Sequence, residues 1–219
     1  MYCDLAKVQI MNKSIRWYIT TMIPATSVAL ALCPSASSLL EFNRVAVATG
    51  DWWRVLTGHL PHFGLEHLIW DAGVFAVLGI ICERRSRTAT LSCVGISALL
   101  IPAAICLMMP EISTYRGLSG IATALFAMLG MMMFVDSCRQ GDHSRTAITA
   151  LLLTGMVAKI AWEFHSGSAV FVVPSAHSFV AVPLAHLVGA AIGLLVAMGQ
   201  LLFTNFGLSF LIHGVRTTV

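Results

Sequence analysis

Charge is scarce in this sequence. Only 11% of its 219 residues are Asp, Glu, Lys or Arg, against roughly 25% in soluble domains. About half of the charge that a water-facing surface carries is missing, which excludes an ordinary soluble domain. The net charge of +3 is small and dispersed, so no nucleic-acid partner is expected. Cysteine is present but unpatterned: Cys3, Cys33, Cys82, Cys93, Cys106 and Cys138 show no C-x-x-C spacing. Most of them lie in or beside apolar runs, where a thiol behaves as a small hydrophobe. Neither a disulfide framework nor a metal site is expected, and no cofactor. The opening residues, MYCDLAKVQIMNKSIRWY, lack the small-residue cleavage site of a secretory signal, so the first apolar segment is expected to be retained.

What the chain has instead is apolar sequence, 58% of it, gathered into long runs. A hydrocarbon core about 30 Å thick needs roughly 20 helical residues. Six windows meet or approach that length: about 17–33, 66–82, 88–109, 117–135, 146–164 and 179–203. The fold expected is an all-α polytopic membrane protein with six transmembrane helices in a single domain, 1–219. Residues 34–65 form a long mixed loop with Trp52 and Trp53 suited to the membrane interface. This loop is too polar to span the bilayer and too apolar to float free, so it is expected to lie on the bilayer surface.

Lys and Arg give the orientation. Lys7, Lys13 and Arg16 precede the first span, and Arg84, Arg85 and Arg87 follow the second. Arg139 and Arg145 lie between the fourth and fifth, and Arg216 is in the tail. The opposite side holds only Arg44, Arg54 and Arg116, each near Glu41, Asp51 or Glu111. The positive-inside rule then puts both termini in the cytoplasm and the long loop outside.

Depth follows from orientation. The second, fourth and sixth spans all begin outside. His67 and Asp71 therefore fall in the outer turns of the second span, and Ser119 at the outer end of the fourth. With a start near Phe179, His186 lies about 10 Å into the sixth. Three separate parts of the sequence deliver polar residues to similar depths. Ionisable residues inside a membrane are costly and are functional candidates by default. A serine hydroxyl needs a base within hydrogen-bond reach, imidazole suits that work near neutral pH, and acyl transfer needs donors aimed at the developing oxyanion.

Each residue taken alone has a structural account. Ser119 in GLSG is a small residue that lets membrane helices approach, and Gly120 with Ala124 forms a small-xxx-small pair. Ala185, Gly189 and Gly193 recur every fourth residue as in a close helix contact. His186 could bond a neighbouring helix, and His67 could be interfacial. From the residues alone, packing and catalysis both stand open.

Three segments carry a resemblance. WRVLTGHLPHFGLEHLIWD (53–71), GLSG (117–120) and AHLVGAAIG (185–193) are similar, in order and by span, to motifs of the rhomboid intramembrane serine proteases. The resemblance covers nearly the whole chain. It implies a rhomboid-like bundle with a catalytic core about 66–203, and the long loop as a structural element. It also implies that Ser119 attacks the peptide carbonyl with His186 as its general base, a dyad without a third acid. His67 and the Ser119 N–H would serve the oxyanion, with His62 structural. Two positions depart from the family pattern. Asp71 stands where rhomboids usually have Asn, and a carboxylate would repel an oxyanion unless it were protonated or instead oriented His67, its neighbour four residues back on one helix face. Thr123 replaces an often aromatic residue.

HLIWD and AKIAWEFHSG (158–167) also resemble a narrower branch, the rhombosortases. That implies substrates that are exported bacterial proteins with a C-terminal Gly-Gly signal, an apolar helix and a basic tail. In the same segment, Lys159 and Glu163 are spaced i, i+4 around Trp162. They read either as an interfacial helix end, with Lys159 snorkelling and Trp162 anchoring, or as a charge network in which Lys159 reaches Asp71 or a substrate carboxylate. By position, Trp70 and Trp162 would border a lateral opening between the second and fifth spans.

The function expected is cleavage of peptide bonds in or beside transmembrane segments of membrane-protein substrates, within a lipid bilayer. The site would face the outer side of a bacterial inner membrane. An inactive relative that binds membrane clients is the first alternative. A small transporter using the buried His, Asp and Lys is the second, disfavoured by the lack of an inverted repeat.

Overall fold

The computed structural model describes residues 18–168 and 182–214, with side chains over 20–168 and 182–203. In chain order the elements are α1 (Tyr18–Ala31), α2 (Pro34–Leu40), β1 (Phe42–Asn43), α3 (Arg44–Ala48) and α4 (Arg54–Thr57). There follow α5 (Leu65–Arg85), α6 (Arg87–Met108), β2 (Thr114–Tyr115), α7 (Ser119–Gln140), α8 (His143–Ser166) and α9 (Pro183–Gly214). The protein is an all-α polytopic membrane fold. Among the described residues, five helices, α5 to α9, are long and apolar enough to cross a membrane.

The first expected span, about 17–33, is described from Tyr18 onward. Its described part, α1, has 14 residues with Pro24 inside it, about 21 Å at helical rise. The last span starts later than the sequence suggests. Residues 169–181, including Phe179, lie outside the described residues, and the helix opens at Pro183, a residue whose fixed φ suits a first turn. His186 is therefore in the first turn of α9 rather than about 10 Å along it. Helix ends follow local chemistry. Ser86 and Asp142 cap α6 and α8 by accepting the N–H groups of Ala89 and Arg145. Gly141 and Gly167 close α7 and α8 in the left-handed conformation.

The long loop is an ordered platform of short helices. Its β1 pairs antiparallel with β2, Phe42 opposite Tyr115, joining the loop to the segment that leads into α7. Arg44 reaches the end of α6 and the turn after it, where backbone carbonyls run short of helical N–H partners. Its guanidinium donates to the carbonyl oxygens of Ile105, Cys106, Met109 and Ile112 at 2.7–3.1 Å. Buried Arg54 donates to Asp51 at 2.9 Å and to the carbonyls of Ser38 and Glu41. Arg116 closes the platform on Glu41 at 2.6 Å. Trp52 and Trp53 are exposed.

Helix α7 is the hub, packed against α5, α6, α8 and α9. Its Ile121, Ala124, Leu125 and Met128 join Phe75 of α5 and Ile101 and Ile105 of α6 in the core. The α7–α9 contact is made by backbone. A Cβ on Gly189 would stand 2.1 Å from the Gly120 carbonyl oxygen, and one on Gly193 2.0 Å from that of Ala124. Small residues are what allow membrane helices to approach this far.

Gly189→Ala therefore has no flexible side chain to push aside. It should destabilise the fold by at least the about 1–3 kcal/mol typical of overpacking, read as a lowered thermal unfolding midpoint in detergent. Gly155→Ala, on an exposed position of α8 with open space around its Cα, should leave the midpoint unchanged or raise it.

Candidate active site

Four helix ends meet at one end of the bundle: the starts of α5, α7 and α9, and the last turns of α8. Ser119 is the first residue of α7 and is half-buried. It is set by the turn before it, where Gly117 has φ +114° and a Cβ would stand 2.7 Å from Asp71 Oδ2 and 2.9 Å from His67 Nε2. Only glycine fits both that backbone conformation and that approach. The Gly117 carbonyl is tied down in turn, accepting from the Tyr115 hydroxyl at 3.3 Å and lying 3.3 Å from His59 Nδ1. Burial, reinforced by the charge of Asp71, pushes the Tyr115 phenol above its ordinary range, so it remains a donor. Burial likewise pushes the His59 imidazole down, so it is neutral. Its single N–H serves one of two carbonyls, Gly117 or Ala98.

Asp71 is the centre of the polar cluster. Its Oδ2 accepts the N–H groups of Leu118 at 2.9 Å and Ser119 at 3.1 Å. The start of α7 has no side-chain cap of its own, and this carboxylate from α5 supplies one, placing negative charge at a helix N-terminus where it is favoured. His67 Nε2 lies 3.1 Å from the same oxygen. His67 Nδ1 accepts the Phe63 N–H at 3.5 Å, which leaves the ring proton on Nε2, pointing at Asp71. His62 Nε2 stands 3.3 Å away, close enough for an ion pair but outside hydrogen-bond geometry. Of the two roles open to Asp71 from sequence, orienting His67 is the one this geometry supports. A carboxylate oxygen occupies the meeting point of the donors expected to serve an oxyanion.

Beside this cluster stands His186. A Cβ on Gly120 would be 3.0 Å from the Ala185 carbonyl oxygen, so the residue after Ser119 touches the residue before His186. Among the described residues no hydrogen bond joins the Ser119 hydroxyl to His186, and in resting enzymes such bonds often tighten only with substrate. Thr123 donates its hydroxyl to the Ser119 carbonyl at 2.8 Å.

Lys159 and Glu163 turn inward from α8. Lys159 Nζ lies 3.0 Å from Glu163 Oε1, and Glu163 Oε2 lies 2.7 Å from His186 Nδ1. Lys159 is thus paired with Glu163. The i, i+4 neighbour on its own helix face takes the cation, while Asp71 is engaged by histidines and backbone. Only 20% of the Lys159 side chain is exposed. Sequence reading missed that Glu163 faces His186. The signal available was Glu163's place at the end of α8 where α9 begins, but spacing does not fix helix rotation. Trp70 and Trp162 are about half exposed, on helices α5 and α8 that are not among the closely packed pairs. Among the described residues no His, Cys, Asp and Glu cluster is arranged to hold a metal ion.

The sequence matches the family model of the rhomboid domain over residues 49–203. No curated protein matches the chain.

The capping role of Asp71 is testable by stability. Asp71→Ala leaves two buried N–H groups at the start of α7 without their acceptor and should cost about 1–3 kcal/mol. Asp71→Asn keeps an acceptor oxygen and should cost less than half as much, read from thermal unfolding in one detergent.

Proposed function

The chain belongs to the rhomboid family of intramembrane proteases, and from that premise we propose that it is a serine endopeptidase acting through Ser119 and His186. The observation that supports this most is the backbone contact of Gly120 with Ala185, which sets the starts of α7 and α9 side by side. In this mechanism His186 Nε2 takes the hydroxyl proton as Ser119 Oγ attacks the scissile carbonyl, and returns it to the leaving amine as the peptide bond breaks. The acyl-enzyme is then resolved by water or by another acceptor nucleophile. The Ser119 N–H and His67 serve the oxyanion. Asp71 holds both donors in the resting protein, so the substrate carbonyl oxygen must displace it.

The whole chain acts as one rhomboid-like domain, with both termini cytoplasmic and the site towards the outer face of a bacterial inner membrane. Substrates are membrane proteins cut in or beside a transmembrane segment, admitted past Trp70 and Trp162. The resemblance of HLIWD and AKIAWEFHSG to the rhombosortases supports exported proteins with C-terminal Gly-Gly sorting tails as the substrate class. One observation favours a second reading, a client-binding protein that does not cut. The Asp71 carboxylate sits on the Ser119 N–H, where a catalytic oxyanion would have to go.

Fluorophosphonate labelling of the detergent-purified protein separates the two. Protease chemistry predicts labelling of the wild type that is abolished, at least 100-fold, in Ser119→Ala and His186→Ala with folding intact. A wild type that stays unlabelled, beside an active rhomboid labelled by the same probe, supports the client-binding reading.

A further inference from the structure

The family resemblance implies a serine–histidine pair with no third acid, but the geometry around His186 is that of a three-membered relay. We propose that Glu163 is a positioning residue that fixes the tautomer and orientation of His186, with Lys159 as its counterion. The inference rests on the role proposed above for His186 as the base.

The argument is one of donors and acceptors. His186 Nδ1 has two polar neighbours, Glu163 Oε2 at 2.7 Å and Lys159 Nζ at 3.0 Å. A lysine ammonium only donates and a carboxylate only accepts. If Nδ1 were unprotonated it would accept from Lys159, and its lone pair would face a carboxylate oxygen at 2.7 Å. If Nδ1 carries the proton, the shorter contact becomes a charge-assisted hydrogen bond to Glu163. Lys159 is then satisfied by the other carboxylate oxygen, Oε1, at 3.0 Å. The second arrangement leaves only the longer contact unfavourable, so the neutral ring carries its proton on Nδ1. Nε2 is then the free base, as removal of the serine proton requires.

Burial makes the arrangement specific. The Glu163 side chain is 1% exposed and that of His186 11%, so the contact between them is largely withdrawn from solvent. Lys159, partly exposed, neutralises a carboxylate that would otherwise be buried alone, a costly state. Both residues come from the last turns of α8, and α8 packs on α7. The relay therefore ties α8, which packs on the helix of Ser119, to α9, which carries His186.

Glu163→Gln is the sharpest variant. The carboxylate accepts on both oxygens, whereas an amide has one acceptor oxygen and one NH2 group. With its oxygen held by Lys159, the amide turns NH2 toward Nδ1, forcing the proton to Nε2 and removing the base. Asparagine in place of a triad aspartate costs about 10⁴-fold through this kind of tautomer change. The fluorophosphonate labelling rate of Glu163→Gln should accordingly fall by about 10²- to 10⁴-fold.

A second measurement is independent of activity. In the wild type with 15N-labelled histidine, the His186 imidazole, assigned by its loss in His186→Gln and observed where the ring is neutral, should show a protonated Nδ1 and a bare Nε2. Glu163→Gln should reverse that pattern. A wild-type ring with its proton on Nε2 overturns the proposal, and this holds even if Glu163→Gln fails to fold. A folded Glu163→Gln labelling at the wild-type rate overturns it too, while leaving Ser119 and His186 in their roles. If the wild type does not label at all, the protease reading fails, and the 15N pattern alone decides whether Glu163 sets the tautomer.

Discussion

The backbones of α7 and α9 touch, and the arrangement of polar groups at that end of the bundle depends on it. With Gly120, Gly189 and Gly193 at the crossing, carbonyl oxygens of one helix lie where the other would carry Cβ atoms. In lipid, where water drives no apolar collapse between helices, such van der Waals contact is a main source of association. It also fixes the relative height of the two helices to within a fraction of a turn, because a slip of one residue would drive a side chain into a carbonyl. Ser119 and His186 each adjoin this contact in sequence, so they inherit its precision.

Two carboxylates then organise the polar groups on either side. Asp71 gathers the free N–H groups at the start of α7 together with the imidazoles of His67 and His62. Glu163 does the corresponding work for α9, between Lys159 and His186. Each acid lies on a helix other than the one it serves. The cluster therefore exists only in the assembled bundle, with no single helix carrying it in local form.

Much of this was legible in the sequence where a physical rule acts locally. Apolar run length marked α5 to α8 to within a few residues, since hydrocarbon thickness sets helix length. The four-residue spacing of Ala185, Gly189 and Gly193 marked the close crossing. What was hidden depends on rotation and on distant partners. Lys159 and Glu163 were visible as a pair, but the side of α8 that faces α9 was not, so the partner of Glu163 went unseen. Arg44 looked like an ordinary loop cation because nothing nearby in sequence shows that it closes the far end of α6. The start of α9 at Pro183 lies at a helix end, where the apolar character of a run is a poor guide and proline geometry decides.

The pairing of Phe42 with Tyr115 makes the long loop and Ser119 mechanically continuous. Tyr115 is buried, its hydroxyl holds the Gly117 carbonyl, and Gly117 is two residues from Ser119. A displacement of the loop would thus be passed through two strand residues and one glycine to the first turn of α7. The loop and the serine share one short mechanical path, so packing that holds Phe42 in place also holds the start of α7.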